Sequence, residues 1–363
     1  TNSVKATGVV TQYAAVNDTF YIIPKVVSVT PSTGTVGSFV TVYGNGYGSG
    51  EQVWVDFGQT MTMSTGIASN DGSFTVVFTI DTQRYATRTI TATGVDIQPH
   101  SAANTFYITP EVVSVTPNSG TVGTLVTMYS TGYGSEEAVR IDFGKTVSMV
   151  VGAASVDGTF TVVFTIDMQR YATTTVMAIG ISTNHAAINT FYITPEIVSV
   201  TPNIGTVGSY VTMRCSGYGA GEQVWVDFGT TQTRVIGTAN SNGTFTVVFT
   251  IDTQSYAAKT ITATGVNTQH SAINTFYIMP QVVIVTPSRG TVGTDVTISC
   301  TGYGMDEAVQ VSFGNVDSIA TGIASNDGTF SVVFEVDTQI YATKTITASG
   351  IETQVSAINT FYI

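Results

Sequence analysis

The side chains best suited to chemistry are few in this chain. Its three histidines, His100, His185 and His270, each lie four residues before the asparagine of an N-T-F-Y-I segment. One histidine in each such place makes neither a metal cluster, which needs several ligands converging on one ion, nor a Ser-His-Asp triad. A solvated turn, or a contact between neighbouring modules, accounts for them. The two cysteines, Cys215 and Cys300, stand 85 residues apart at equivalent positions, where Gly44 and Ser130 stand elsewhere in the chain. Equivalent points on separate modules lie beyond disulfide reach. A small thiol on a strand is expected, with an interchain bridge as the alternative.

Carboxylates recur in three places. Asp71, Asp157 and Asp327 precede a glycine, while Asp81, Asp167, Asp252 and Asp337 end a strand. Glu51, Glu136, Glu137, Glu222, Asp306 and Glu307 follow a G-Y-G loop. Calcium takes several oxygen ligands, but the chain has no D-x-D-x-D-G run. Turn chemistry and solubilising charge are the plainer reading. No cofactor is expected, with calcium the single alternative. The Asp56-Phe57-Gly58 series has no lysine strand or catalytic loop to make a kinase of it. Gly44, Gly46, Gly48 and Gly50 are followed by no helix that could cradle a phosphate.

Trp54 and Trp225 alternate with Val53, Val55, Val224 and Val226, so they face away from the core. Arg140 and Gln310 take that place in the intervening copies. An exposed tryptophan anchors a protein interface or stacks on a sugar. The G-Y-G tyrosines Tyr47, Tyr133, Tyr218 and Tyr303 join these four as interface candidates. Asn17-Asp-Thr19 and Asn242-Gly-Thr244 are sequons, so Asn17 and Asn242 are the possible glycosylation sites.

The elements that must carry these residues repeat. The proline of V-x-V-T-P falls at Pro31, Pro117, Pro202 and Pro287, the G-Y-G tyrosines at the same steps, and the tyrosine of D-x-Q-x-Y-A at Tyr85, Tyr171, Tyr256 and Tyr341. N-T-F-Y-I occurs four times, and D-T-F-Y-I supplies a fifth copy at Phe20. Self-similarity at a fixed period marks a repeat architecture. The run Phe74 to Ile80 puts Phe74, Val76, Phe78 and Ile80 on one face with period two, and Val53, Val55 and Phe57 alternate likewise. Asn70-Asp71-Gly72 and Ser241-Asn242-Gly243 read as hairpin turns needing positive φ. About seven short strands per repeat predict a sandwich. The boundaries are 1–22 for the last two strands of a preceding repeat, then 23–108, 109–193, 194–278 and 279–363. Residues 2–22 align with 88–108, through Gly8 and Phe20. They read as part of a longer array or as a hairpin donated to a neighbouring subunit. Prolines Pro24, Pro110, Pro195 and Pro280 join strand to strand without a Gly/Ser linker, which predicts a stiff rod.

Composition agrees. The chain has 363 residues with 12 Lys and Arg against 24 Asp and Glu, a net charge of -12. Such a chain repels phosphate backbones, so no nucleic-acid partner is expected. Leu125 is the single leucine, and Val, Thr, Ile, Tyr and Phe replace it, a strand composition. No 18-residue apolar run offers a membrane span.

The pattern P-x-V-V-S-V-T-P-x-x-G-T-V-G-x-x-V-T-x-x-x-x-G-Y-G over Pro24–Gly48, then V-x-V-D-F-G over Val53–Gly58, resembles the IPT/TIG immunoglobulin-like domain. The second half of each repeat is similar to Ig-like repeats of large microbial surface proteins. The resemblance implies an all-β tandem array of four Ig-like β-sandwich domains plus a two-strand partial repeat, in an extracellular or cell-surface filament or stalk. On this reading the chain is not an enzyme, because catalytic groups form one singular constellation and each polar feature here is a multiple copy or a scattered substitution. Its partner would be itself, in a homopolymer or longer array. The alternative is an adhesin that binds a glycan or host surface through exposed loops and the tryptophans.

Overall fold

The structure is a computed structural model that describes residues 2–7, 9–10, 12–96 and 100–363, without the side chains of 2–4 and 17–20. Gly8 and the side chains of Asn17 and Phe20 therefore lie outside the described residues. The chain divides into two compact units. One is Thr1–Asn118, Leu125–Phe164 and Thr174–Phe191; the other is Ser119–Thr124, Thr165–Thr173 and Tyr192–Ile363.

In the first unit, β1 (Asn2–Thr7) and β2 (Ala14–Phe20) pair antiparallel. The first full repeat follows with β3 (Lys25–Thr30), β4 (Thr33–Gly34), β5 (Phe39–Asn45), β6 (Gln52–Phe57), β7 (Thr60–Ile67), β8 (Phe74–Thr79), β9 (Thr87–Gly94) and β10 (His100–Ile108). One sheet has the order β3-β5-β8, the other β4-β10-β9-β6-β7. Only β4 runs parallel to its neighbour, pairing Thr33 with Tyr107. This is an immunoglobulin-like sandwich. Alternation builds its core: Val53, Val55 and Phe57 on β6 have no exposed surface, and Phe74, Val76 and Phe78 on β8 are buried opposite them. Burying each such side chain contributes roughly 1.5–3 kcal/mol.

The Asn70-Asp71-Gly72 turn is not a hairpin. β7 pairs with β6 and β8 with β5, so this turn carries the chain from one sheet to the other. Turn chemistry sets φ, here +76° at Gly72, but does not choose the strand's partner. The β6–β7 hairpin turns instead at Gly58, with φ +56°.

In the second unit, the third repeat has the same two sheets. Glu196–Thr201, Tyr210–Ser216 and Phe245–Thr250 form one; Ile204–Thr206, Ser271–Met279, Ala258–Gly265, Gln223–Phe228 and Thr231–Thr238 form the other. In the fourth repeat a single bridge between Arg289 and Tyr362 replaces the short parallel strand. The third and fourth repeats have separate cores, around Val224, Val226 and Phe228 and around Val309, Val311 and Phe313. Pro280 alone separates the strand ending at Met279 from the one starting at Gln281. Among the described residues no helix is long and apolar enough to cross a membrane.

The β1–β2 pair departs from the copy that its sequence implies. Ala92 pairs with Ala102 in β9–β10, whereas the equivalent Ala6 pairs with Ala15, and a bulge between Asn2 and Val4 restores the expected register at Asn2–Phe20. Register is set by one buried face, and Val16, Tyr21 and Ile22 are all exposed here.

Candidate functional site

The G-Y-G tyrosines, named as interface candidates, have their rings in the core. Tyr47, Tyr133, Tyr218 and Tyr303 are buried, and their hydroxyls donate to the carbonyls of Ala92, Ala178, Ala263 and Ala348 at 2.9, 3.2, 2.8 and 2.8 Å. An aromatic ring of this size fills the end of the sandwich, and its hydroxyl finds the one acceptor it needs. Burial, with the nearby Glu51 charge adding to it, pushes the Tyr47 hydroxyl up to about 12.

Glu51, Glu137, Glu222 and Glu307 behind the loops are buried too, so they are not solubilising charge, whereas Glu136 and Asp306 beside them are exposed. Glu222 accepts from the Gly219 N–H at 2.7 Å, the Thr268 N–H at 2.8 Å and the Asn267 N–H at 3.1 Å. Glu307 accepts from Gly304 N–H and Thr353 N–H, and Glu137 from Gly134 N–H and Thr183 N–H. Each carboxylate ties its G-Y-G loop to the turn before the repeat's last strand. Burial alone would raise these carboxyls, but the bonds from backbone N–H groups outweigh it and hold Glu137, Glu222 and Glu307 below the usual range. Glu51 differs in that His100 Nε2 lies 3.2 Å from its Oε2.

The backbone of the same loops builds the contact between consecutive repeats. In the first unit, the Tyr85 N–H donates to the Tyr133 carbonyl of the next repeat at 2.8 Å. In the second unit, Tyr171 donates to Tyr218 at 3.0 Å and Tyr256 to Tyr303 at 2.7 Å. The rings of Tyr133, Tyr218 and Tyr303 are core while their carbonyls are interface. A glycine of the next repeat rests against the same segment. A Cβ on Gly158 would sit 2.7 Å from the Arg84 Cα, and one on Gly328 2.7 Å from the Ser255 Cα.

Histidines seal two of these contacts, as one of the two sequence readings expected. In the first unit, the His185 ring centroid lies 4.7 Å from that of Tyr85, with Nε2 3.4 Å from the Tyr85 hydroxyl. His185 Nδ1 donates to the Thr183 carbonyl at 2.8 Å, which leaves Nε2 as the acceptor in the neutral ring. The Tyr85 and Tyr107 hydroxyls hydrogen-bond to each other. In the second unit, His270 repeats the arrangement with Tyr171 and Tyr192, its Nε2 lying 3.4 and 3.2 Å from their hydroxyls. Sequence reasoning did not pair these tyrosines with the histidines. The signal was present, since both series share the repeat's period.

Trp54 and Trp225 do face outwards, 44% and 43% exposed. Trp54 stands between Thr65 and Thr93 of the neighbouring strands, and Trp225 between Ile236 and Thr264. The residues in their place are half-buried: Arg140 pairs with Asp142, Nε to Oδ1 3.0 Å, and Gln310 stands between Thr321 and Ser349. The structure does not bring these four residues together within a repeat. Cys215 and Cys300 are free and buried, and burial pushes both thiols up to about 12. Gly44 holds their place in the first repeat, where a Cβ would lie 2.3 Å from Phe74 Cε1. Asn242 is exposed in its turn. Among the described residues no group of three His, Cys, Asp or Glu side chains is placed to hold a metal ion. The turn carboxylate of Asp71 takes the Ser69 and Ser73 hydroxyls, which draw it down to about 2.

No protein-family model matches the chain, and no curated protein matches it. Among solved structures, the chain is similar to an ICAM-5 D1–D4 ectodomain fragment at 12% identity and a TM-score of 0.26, over 94% of this chain and 98% of that one. It is similar to invasin, a bacterial integrin-binding protein, at 13% identity and 0.24, over 92% and 78%. It is also similar to SGBP-B of a Bacteroides ovatus mixed-linkage glucan utilization locus, in complex with a mixed-linkage heptasaccharide, at 12% identity and 0.25, over 86% and 92%. Likeness at this level concerns fold and carries nothing about activity. By its own strand order and repeated sheets, the chain is an all-β tandem array of four immunoglobulin-like sandwich repeats.

Proposed function

We propose that this chain is a structural repeat segment of an extracellular filament or cell-surface stalk, made of IPT/TIG-like domains, without enzymatic activity or cofactor. It keeps its repeats at fixed spacing and associates with itself or with neighbouring chains of the same repeats. The observation that carries this reading is the repeated contact between consecutive repeats: the Tyr85–Tyr133, Tyr171–Tyr218 and Tyr256–Tyr303 backbone bonds, each reached across a short proline connection. A binding protein needs one good surface, whereas a spacer needs the same joint many times. Backbone ladders in each sandwich would resist tension, and the joints would resist bending.

Small-angle scattering of the chain tests this. A compact body of this length has a radius of gyration of about 21 Å, and a stiff array should exceed roughly double that. A value near the compact one sinks the proposal. The second reading, a glycan-binding adhesin, is favoured by the half-exposed Trp54 and Trp225. A glycan array decides it: retention of a neutral glycan that Trp54→Arg and Trp225→Arg abolish would replace the structural reading.

A further inference from the structure

Within the first unit, a cleft of about 500 Å³ opens where the first repeat meets the second. Gln59, Thr82, Arg84 and Arg88 line it from the first repeat, and Ser155 and Asp157 from the second. Arg88 Nη2 donates to the Arg84 carbonyl at 2.8 Å, which holds the Arg88 head against the Arg84 backbone. Among the described residues neither guanidinium forms an ion pair, and Arg88 Nε is buried without an acceptor. Burial, then the like charge of Arg84, holds the Arg88 guanidinium below its ordinary range, with Asp81 opposing them. Two like charges crowded into a half-buried site cost free energy that a bound anion offsets.

The pair is singular in an otherwise repetitive chain. Arg170, Ser255 and Ile340 occupy the Arg84 position in later repeats, and Thr174, Lys259 and Lys344 the Arg88 position. No other repeat has arginine at both.

The rest of the wall narrows the ligand. The Asp157 bonds from Ser155 and Thr159 all fall on Oδ1, so Oδ2 keeps its capacity as an acceptor in the cleft wall. A second negative charge would meet that carboxylate, whereas a hydroxyl would donate to it. The net charge of -12 also turns away polyanions. The volume lies within the range of small-molecule sites. We propose that this cleft binds an acidic sugar of about one or two rings, with its carboxylate on Arg84 and Arg88 and its hydroxyls on Asp157, Gln59 and the Ser/Thr side chains. The proposal does not depend on the structural reading above, since a spacer and an adhesin could each carry such a site.

Calorimetric titration of the full chain with D-glucuronate, D-galacturonate and N-acetylneuraminate, beside glucose, galactose and sodium sulfate, tests it. At least one acidic sugar should bind about tenfold more tightly than any neutral one, and binding should weaken with salt. Arg84→Ser with Arg88→Thr uses residues that other repeats carry at these positions. It should reduce affinity at least about tenfold without lowering the melting temperature of the unliganded chain. Arg88→Lys, the residue of the third and fourth repeats, keeps the charge and should lose less than the double variant. Absence of binding by all three acidic sugars, equal binding by the double variant, or binding of sulfate as tight as that of any sugar would overturn the assignment. The scattering result is unaffected by any of these outcomes.

Discussion

The contact at the end of the first repeat and the one at the end of the third share a frame and differ in a seal. Both have a tyrosine N–H on the next repeat's G-Y-G carbonyl, 2.8 Å at Tyr85 and 2.7 Å at Tyr256, and a glycine pressed on the residue before it. The first adds His185 over Tyr85 and Tyr107. The last has Val355 in that position, and Tyr277 is left 50% exposed. Backbone geometry is therefore the constant part of the joint, because every repeat must present the same loop. The aromatic layer is the variable part, present with His185 and absent with Val355.

The largest effect should come from breaking the shared frame. Gly158 and Gly328 have φ of +80° and +79°, and a Cβ there would lie 2.3 and 2.4 Å from the Tyr133 and Tyr303 carbonyl oxygens. Gly158→Ala and Gly328→Ala should each cost about 3 kcal/mol or more, read as a lowered transition in calorimetry of the full chain. Losses under about 0.5 kcal/mol would show that the turn yields freely.

A smaller effect should come from the buried glutamates beneath each joint. Glu137 and Glu307 have carboxyls lowered on folding. Their contribution is therefore present above the unfolded carboxylate range and is lost as pH falls through the folded value. Glu307→Gln should cost about 2 kcal/mol at neutral pH, and the gap to the unaltered chain should close in acid. A gap that holds constant down to about pH 3 would contradict this.

The smallest effect is the exchange of the seals. His185→Val should raise hydrogen exchange at the Tyr85 amide about fivefold, and Val355→His should slow it at Tyr256 by a similar factor, equivalent to about 1 kcal/mol each. Equal exchange at both amides in the unaltered chain would remove the distinction between the two joints.

Much of this was legible in the sequence. Period two in Phe74–Ile80 and the steps of 86, 85 and 85 residues were enough for the sandwich and its repetition, since alternation is a local property of the chain. The outward face of Trp54 followed from the same rule. The buried glutamates were misread as solubilising charge because their partners, backbone N–H groups such as those of Thr268 and Thr353, lie 46 residues away. The G-Y-G tyrosines were named as interface candidates, but their buried rings were not foreseen, because composition does not show that one residue's ring and carbonyl serve different neighbours.

Strand pattern, repeat number and the spacing of the prolines were determined by sequence alone, because each depends on neighbours along the chain. Tertiary structure decided which sheet each strand joined, which carboxylates were buried, and which groups of successive repeats met. Those depend on contacts between residues far apart in sequence, where a hydrogen bond such as Tyr85 to Tyr133 or a crowded pair such as Arg84 and Arg88 exists only once the repeats are folded.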